Sequence, residues 1–194
     1  MDTFLSDKNR AVRRAVRSFC DQEVSPLAGE MDREAAFPWE IVEKMGKLGY
    51  FGIQVPKELG GAGLDSMSYV LVIEELSKAS ASLGLCVTVH NSVAVFPILA
   101  FGNDEQKQKW IPPLARGEKI GAFCLTEPNA GSDASGIEAT AVRKGDRCNM
   151  RSSSDDTISF SSSFMAIILP LSVLIVVLSL YSQHTRDMTR SPFL

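Results

Sequence analysis

The stretch FCLTEPNAGSD at residues 123–133 holds the side chains best suited to chemistry in this 194-residue chain. A short apolar run over 120–125 predicts a strand. Pro128 and Gly131 then break it into a polar turn that ends in Ser132 and Asp133. Glycine frees the backbone for close approach, and successive N–H groups in such a turn can form a concave anion site. A strand edge running into that turn suits a flat ring system joined to a phosphate. The same residues are also ordinary turn formers, so on their own they leave plain structure open.

The remaining candidates are weaker. Glu74 and Glu75 invite a paired-carboxylate reading, but neighbours on a helix diverge by about 100° and cannot share one substrate atom. A solvated or structural ion-pair edge fits them better. The GGAG run at 60–63 lacks the lysine and hydroxyl of a phosphate-binding P-loop, so a tight structural loop is expected. His90 stands alone in an apolar segment and reads as a satisfied core residue. Cys20, Cys86, Cys124 and Cys148 are scattered without a C-x-x-C pair, and neither His90 nor His184 has metal-ligand spacing to them. They read as small buried hydrophobes in a reducing compartment, and no metal site is indicated.

Composition bounds the rest. A formal net charge of -3, with 45% hydrophobic and 22% charged residues, permits one or two compact domains and offers no basic footprint for nucleic acid. The N-terminal residues MDTFLSD carry neither a basic, apolar leader nor an Arg/Ser-rich presequence, so no targeting segment is expected.

The elements that would hold the 123–133 turn are mostly helical. Ser6 or Asp7 caps a helix to about Val24, with Val12, Val16, Phe19 and Val24 as its apolar stripe. Arg10, Arg13, Arg14 and Arg17 are expected on its solvated face. Pro26 disturbs this helix before it resumes. Phe37 and Pro38 open another, with Trp39, Ile41, Val42, Met45 and Leu48 facing inward and Gly49 ending it. Residues 51–56 read as extended. Ser66 is expected to cap a third helix, carrying Met67, Val70, Leu71, Ile73 and Leu76. The run 82–101 is hydrophobic nearly all round and therefore central. Asn103 caps the next helix, and Pro112 and Pro113 are expected to close it. A new, β-type unit then begins.

Four segments together resemble the acyl-CoA dehydrogenases. FCLTEPNAGSD is similar to that family's flavin signature, aromatic-x-aliphatic-Thr/Ser-Glu-Pro-x-x-Gly-Ser-Asp. PKELGGAGL at 56–64 resembles its Pro-x-x-x-Gly-Gly-x-Gly loop. IEEL at 73–76 and GNDEQKQKWIPPLARG at 102–117 follow the same pattern in the same order. The resemblance spans about residues 3–146. It implies a mainly α chain: a helical N-terminal domain over 1–118, then over 119–146 the first strands of a truncated middle β domain. It also implies FAD as cofactor, an acyl-CoA thioester as substrate and electron-transfer flavoprotein as partner. The setting would be fatty acid or branched-chain amino acid catabolism, in the cytoplasm or the mitochondrial matrix. Carried over by position, Phe123, Leu125 and Thr126 would line the isoalloxazine. Gly131 and Ser132 would reach the pyrophosphate, and Ser132 would also approach the acyl-CoA.

In the family a carboxylate takes a proton α to the thioester carbonyl while hydride leaves the β carbon. That glutamate lies in a C-terminal four-helix bundle, through which the family is commonly oligomeric, and no segment here matches it. Glu127 sits in the flavin turn and is not assigned as base. The expectation is therefore a truncated, catalytically incompetent relative.

The resemblance stops after Asp146, where an Asn-Gly-x-Lys strand pair would follow. Serine-rich residues 147–163 read as a linker. Residues 164–181 contain no charge and would make a helix about 27 Å long, near the thickness of a bilayer core. Arg186 and Arg190, in a polar tail over 182–194, could anchor its far side. Two readings stay open for this hydrophobic stretch. It is either the anchor of a membrane-tethered, non-catalytic helical binding module, or a splice variant or artefact joined to an enzyme fragment.

Overall fold

Helix α1 (Asp7–Phe19) begins where Ser6 accepts a hydrogen bond from the Asn9 backbone N–H, so the predicted cap is present. The computed structural model describes residues 4–124, 130–133, 136, 140–144, 147–151, 157–160, 165–169 and 173–178. A π-helical turn, Cys20–Val24, continues α1 and passes directly into α2 (Ser25–Glu34). Pro26 lies in the first turn of α2, where its missing N–H is not needed. Then come α3 (Trp39–Lys47), α4 (Ser66–Ala79), α5 (Ala81–Val89), a second π-helical turn (His90–Val95), α6 (Phe96–Phe101) and α7 (Asp104–Ala115).

Several expectations are refined. Asp65 rather than Ser66 caps α4, its carboxylate accepting from the Ser68 N–H at 2.7 Å. Residues 51–56 are not a strand. Their backbone instead bonds to the glycine loop: Ala62 N–H to the Gly52 carbonyl at 2.8 Å, and Gly63 N–H to the Val55 carbonyl at 2.9 Å. A Cβ on Gly61 would overlap the Val55 carbonyl, so glycine at 61 is dictated by this close approach. Helix α7 runs through Pro112 and Pro113 to Ala115, because Leu114 and Ala115 behind them are buried in the core. Asn103 and Gln106 cap α7 reciprocally, as a capping box.

Two apolar cores share the helix run 81–101. Leu83 and Val87 belong to the first, with Val16, Val24, Ile41, Met45, Phe51 and Leu76. Ala94, Val95 and Ile98 belong to the second, with Val55, Trp110, Ile111 and Leu114. This run is long and apolar enough to cross a membrane, and 44% of its most apolar stretch is buried within the fold. Trp39 and Leu48, expected inward, are substantially exposed, as are Met67 and Val70 of α4.

Among the described residues six strands follow the helices: β1 (Ile120–Cys124), β2 (Thr140–Lys144), β3 (Arg147–Arg151), β4 (Thr157–Phe160), β5 (Met165–Leu169) and β6 (Val173–Leu178). They form two three-stranded antiparallel sheets, ordered β2-β3-β4 and β1-β6-β5. The linker expected over 147–163 thus contains β3 and β4. The membrane-length helix expected over 164–181 is likewise corrected. Its described residues form a hairpin whose second strand pairs with β1, Ile120 opposite Leu178 and Cys124 opposite Leu174. The run VLIVVL has the β-branched composition of a strand, and Pro170 disfavours an uninterrupted helix. A charge-free apolar run does not by itself separate the two.

Candidate functional site

Strand β1 delivers the chain to the turn singled out above, and two contacts fix it on the helices. His90, fully buried in the second π-helical turn, accepts the Gly121 backbone N–H on Nδ1 at 3.0 Å. Gly121 lies so close to Ala94 that a Cβ would overlap the alanine methyl. Two residues on, Phe123 is half-buried against the second core. Packing is therefore an observed role for Phe123. Beyond Cys124 the chain returns at Ala130, which is buried, while Gly131, Ser132 and Asp133 are exposed. Just past it, the Asp133 carbonyl accepts from the Gly136 N–H at 3.3 Å. Leu125 and Thr126 lie outside the described residues.

Open space surrounds Gly131 where a side chain would project, and Ser132 beside it is exposed. A cleft of about 580 Å³ lies elsewhere, between α3, the glycine loop and the end of α7. Gly46, Lys47, Gly60, Gly61, Arg116 and Glu118 line part of it, and it shares no residue with the turn. The Arg116 guanidinium holds Glu118 in a forked ion pair, at 2.5 and 3.2 Å.

Glu75 is the buried carboxylate among the described residues, only 3% exposed. It accepts from Arg17 Nε and Nη2, both at 2.9 Å, and from Arg13 Nε and Lys78 Nζ, both at 3.1 Å. Those bonds, Arg17's foremost, hold its carboxyl down to about 2 against the desolvation that would raise it. A general base needs the opposite shift, so Glu75 serves as a structural clasp between α1 and α4. Arg13 and Arg17, expected on a solvated face, supply that clasp, and Arg13 also pairs with Glu74. Asn9 extends the seam, donating to Asp65 and Ser68 at 3.0 Å each.

Among the described residues no three His, Cys, Asp or Glu side chains gather as a metal site. Burial pushes the Cys20 thiol up to about 11 and raises Cys86, which makes both poor nucleophiles. Sequence reasoning missed the bond from His90 to Gly121. A histidine followed by asparagine inside an otherwise apolar helix was its only trace.

The model of the acyl-CoA dehydrogenase N-terminal domain matches residues 6–118. An acyl-CoA dehydrogenase of Bacillus subtilis is 50% identical over 133 residues, 69% of this chain and 35% of that protein. The mitochondrial short-chain specific acyl-CoA dehydrogenase of Mus musculus is 46% identical over 142 residues, 73% of this chain and 34% of that one. The chain thus spans about a third of the length of these relatives. The solved glutaryl-CoA dehydrogenase of Mycobacterium smegmatis in complex with FADH2 superposes with a TM-score of 0.71. That match is 26% identical and covers 92% of this chain and 54% of that one. Both the family motifs and the helical architecture therefore agree, and the chain belongs to the acyl-CoA dehydrogenase family.

Proposed function

We propose that this chain carries the helical domain of an FAD-dependent acyl-CoA dehydrogenase and the first edge of its flavin site. The observation that supports this most is the open turn at Gly131 and Ser132, held at the end of a strand docked on the helical core. In this reading residues 1–118 form the helical domain and 119–146 begin the flavin-binding unit. Phe123, Leu125 and Thr126 line the ring, Gly131 and Ser132 receive the diphosphate, and Ser132 also faces the acyl-CoA. FAD, when bound, supplies the hydride acceptor for α,β-dehydrogenation of the thioester. The chain's own contribution is to position: β1 sets the ring edge, the turn supplies N–H and hydroxyl donors, and the helices shield the apolar side. Electron-transfer flavoprotein is the partner proposed for reoxidation, and the mitochondrial matrix or bacterial cytoplasm the compartment.

The 194-residue chain by itself is proposed to be catalytically incompetent. Its buried carboxylate, Glu75, is neutralised by three cations rather than poised as a base. The membrane-tethered alternative loses its main support, since the described part of the apolar tail is a hairpin paired with β1. The test is to purify this chain, supply FAD and add butyryl-CoA. The expected result is substoichiometric flavin and no bleaching of its absorbance. Stoichiometric flavin with sustained turnover would overturn the incompetent reading.

A further inference from the structure

Among the buried groups, His90 stands out. Its Nδ1 must present a lone pair to the Gly121 N–H, so the neutral ring carries its proton on Nε2. That nitrogen has no hydrogen bond of regular geometry among the described residues. The carbonyls of Leu114 and Phe51 do lie close enough to favour a proton on the ring. The Phe51 ring stands edge-on to the imidazole, with centroids 4.9 Å apart. Asn91 beside it donates to the Tyr50 and Val87 carbonyls at 2.9 Å each, which holds the π-helical turn against the 50–51 loop. Gly121 docks on Ala94 so closely that a Cβ at 121 would overlap the alanine methyl.

We propose that His90 is the positioning residue that latches β1, and so the flavin turn, onto the helical unit, and that protonation of its ring opens the latch. A protonated imidazole has no lone pair for Gly121. The strand must then surrender that bond and face a buried cation. The consequence for flavin rests on the reading of 123–133 as the cofactor edge.

The surroundings isolate this titration. In the 50–51 loop the ionisable group is the Tyr50 phenol, which burial raises far above neutrality. Its own helix run contributes Cys86, also raised by burial, and α6 and β6 contribute none. At the end of α7, Arg116 is occupied by Glu118, while Asp104, Glu105, Lys107 and Lys109 lie along its earlier part. Lys119 precedes β1, and Cys124 ends it. None of these charges is a cause of the shift at His90. Desolvation pulls its pKa down to about 4 from 6.5, and the Leu114 and Phe51 carbonyls oppose it. The latch is therefore closed above pH 6.5 and loosens as pH falls toward 4.

Amide hydrogen exchange on the full chain without flavin tests this, and it decides the docking claim whether or not the turn binds FAD. The Gly121 protection factor, corrected for the intrinsic rate, should fall about tenfold per pH unit below 6.5, while amides of Val87 and Ile98 hold theirs. In His90→Asn, whose Oδ1 takes the place of Nδ1 as acceptor but cannot titrate, Gly121 protection should stay level with pH. Should that variant not fold, the native titration alone decides. Gly121 protection unchanged down to pH 4, or lost in step with Val87 and Ile98, would overturn the proposal. So would an equal pH dependence in a folded His90→Asn.

Discussion

Replacing Phe51 with alanine is expected to remove about 3–5 kcal/mol of stability. The ring is fully buried, stands edge-on to His90, and fills the space beside Gly117 so closely that no Cβ fits there. Three backbones meet at this point: the 50–56 loop, the π-helical turn and the link from α7 to β1. A cavity left here cannot be filled by one flexible neighbour, so the cost belongs at the upper part of the usual range. Urea unfolding monitored by far-UV circular dichroism measures it. Phe96→Ala provides the contrast: that ring is 58% exposed, and its removal should change stability by no more than about 0.5 kcal/mol. Equal effects of the two substitutions would contradict the core as described.

Glu75→Ala should cost about 3 kcal/mol. The carboxylate is covered, but largely by cations whose other faces are wet: Arg17 and Lys78 are each about half exposed. Removing it leaves Arg13, only 12% exposed, with a diminished set of partners. The cost therefore sits at the low end of that for breaking a buried ion pair. The acid response follows from the depressed pKa. Stability from this clasp is complete above pH 4.5 and drains away as pH falls toward about 2. Glu75→Gln should be less stable at neutral pH and should show a flatter stability profile over that acid range. Urea midpoints at pH 7, 4 and 3 for the native chain and Glu75→Gln check the sign.

The local parts of the fold were legible because local residues decide them. Ser6 and Asn103 cap where capping predicts, and the stripe of Val16 and Val24 finds the core. The parts decided at a distance were not. Sequence periodicity marks a helix face as apolar without saying how wide a strip is covered, so Leu48, expected inside, lies half outside. The prolines at 112 and 113 signalled an end to α7, but burial of Leu114 and Ala115 outweighs their missing donors. Arg13 and Arg17 looked like a solvated face because Glu75 is about 60 residues away in sequence. The tail was misread for a simpler reason: VLIVVL satisfies both a membrane helix and a strand, and pairing with β1 selects the strand.

At the candidate site, the motif located the turn but not its support. FCLTEPNAGSD named Gly131 and Ser132, and both are exposed. Nothing in the motif indicated that His90, 31 residues earlier, fixes the strand that delivers it. Side-chain to backbone bonds of this kind leave no spacing pattern to detect.

Titrating FAD into the ¹⁵N-labelled chain at pH 7 and following backbone amide shifts tests the central claim most directly. Shifts concentrated at Phe123, Gly131 and Ser132, saturating weakly, with the cleft residues Lys47, Gly61 and Arg116 unmoved, are the predicted result. Shifts at the cleft alone, or none at the turn up to millimolar FAD, would contradict it.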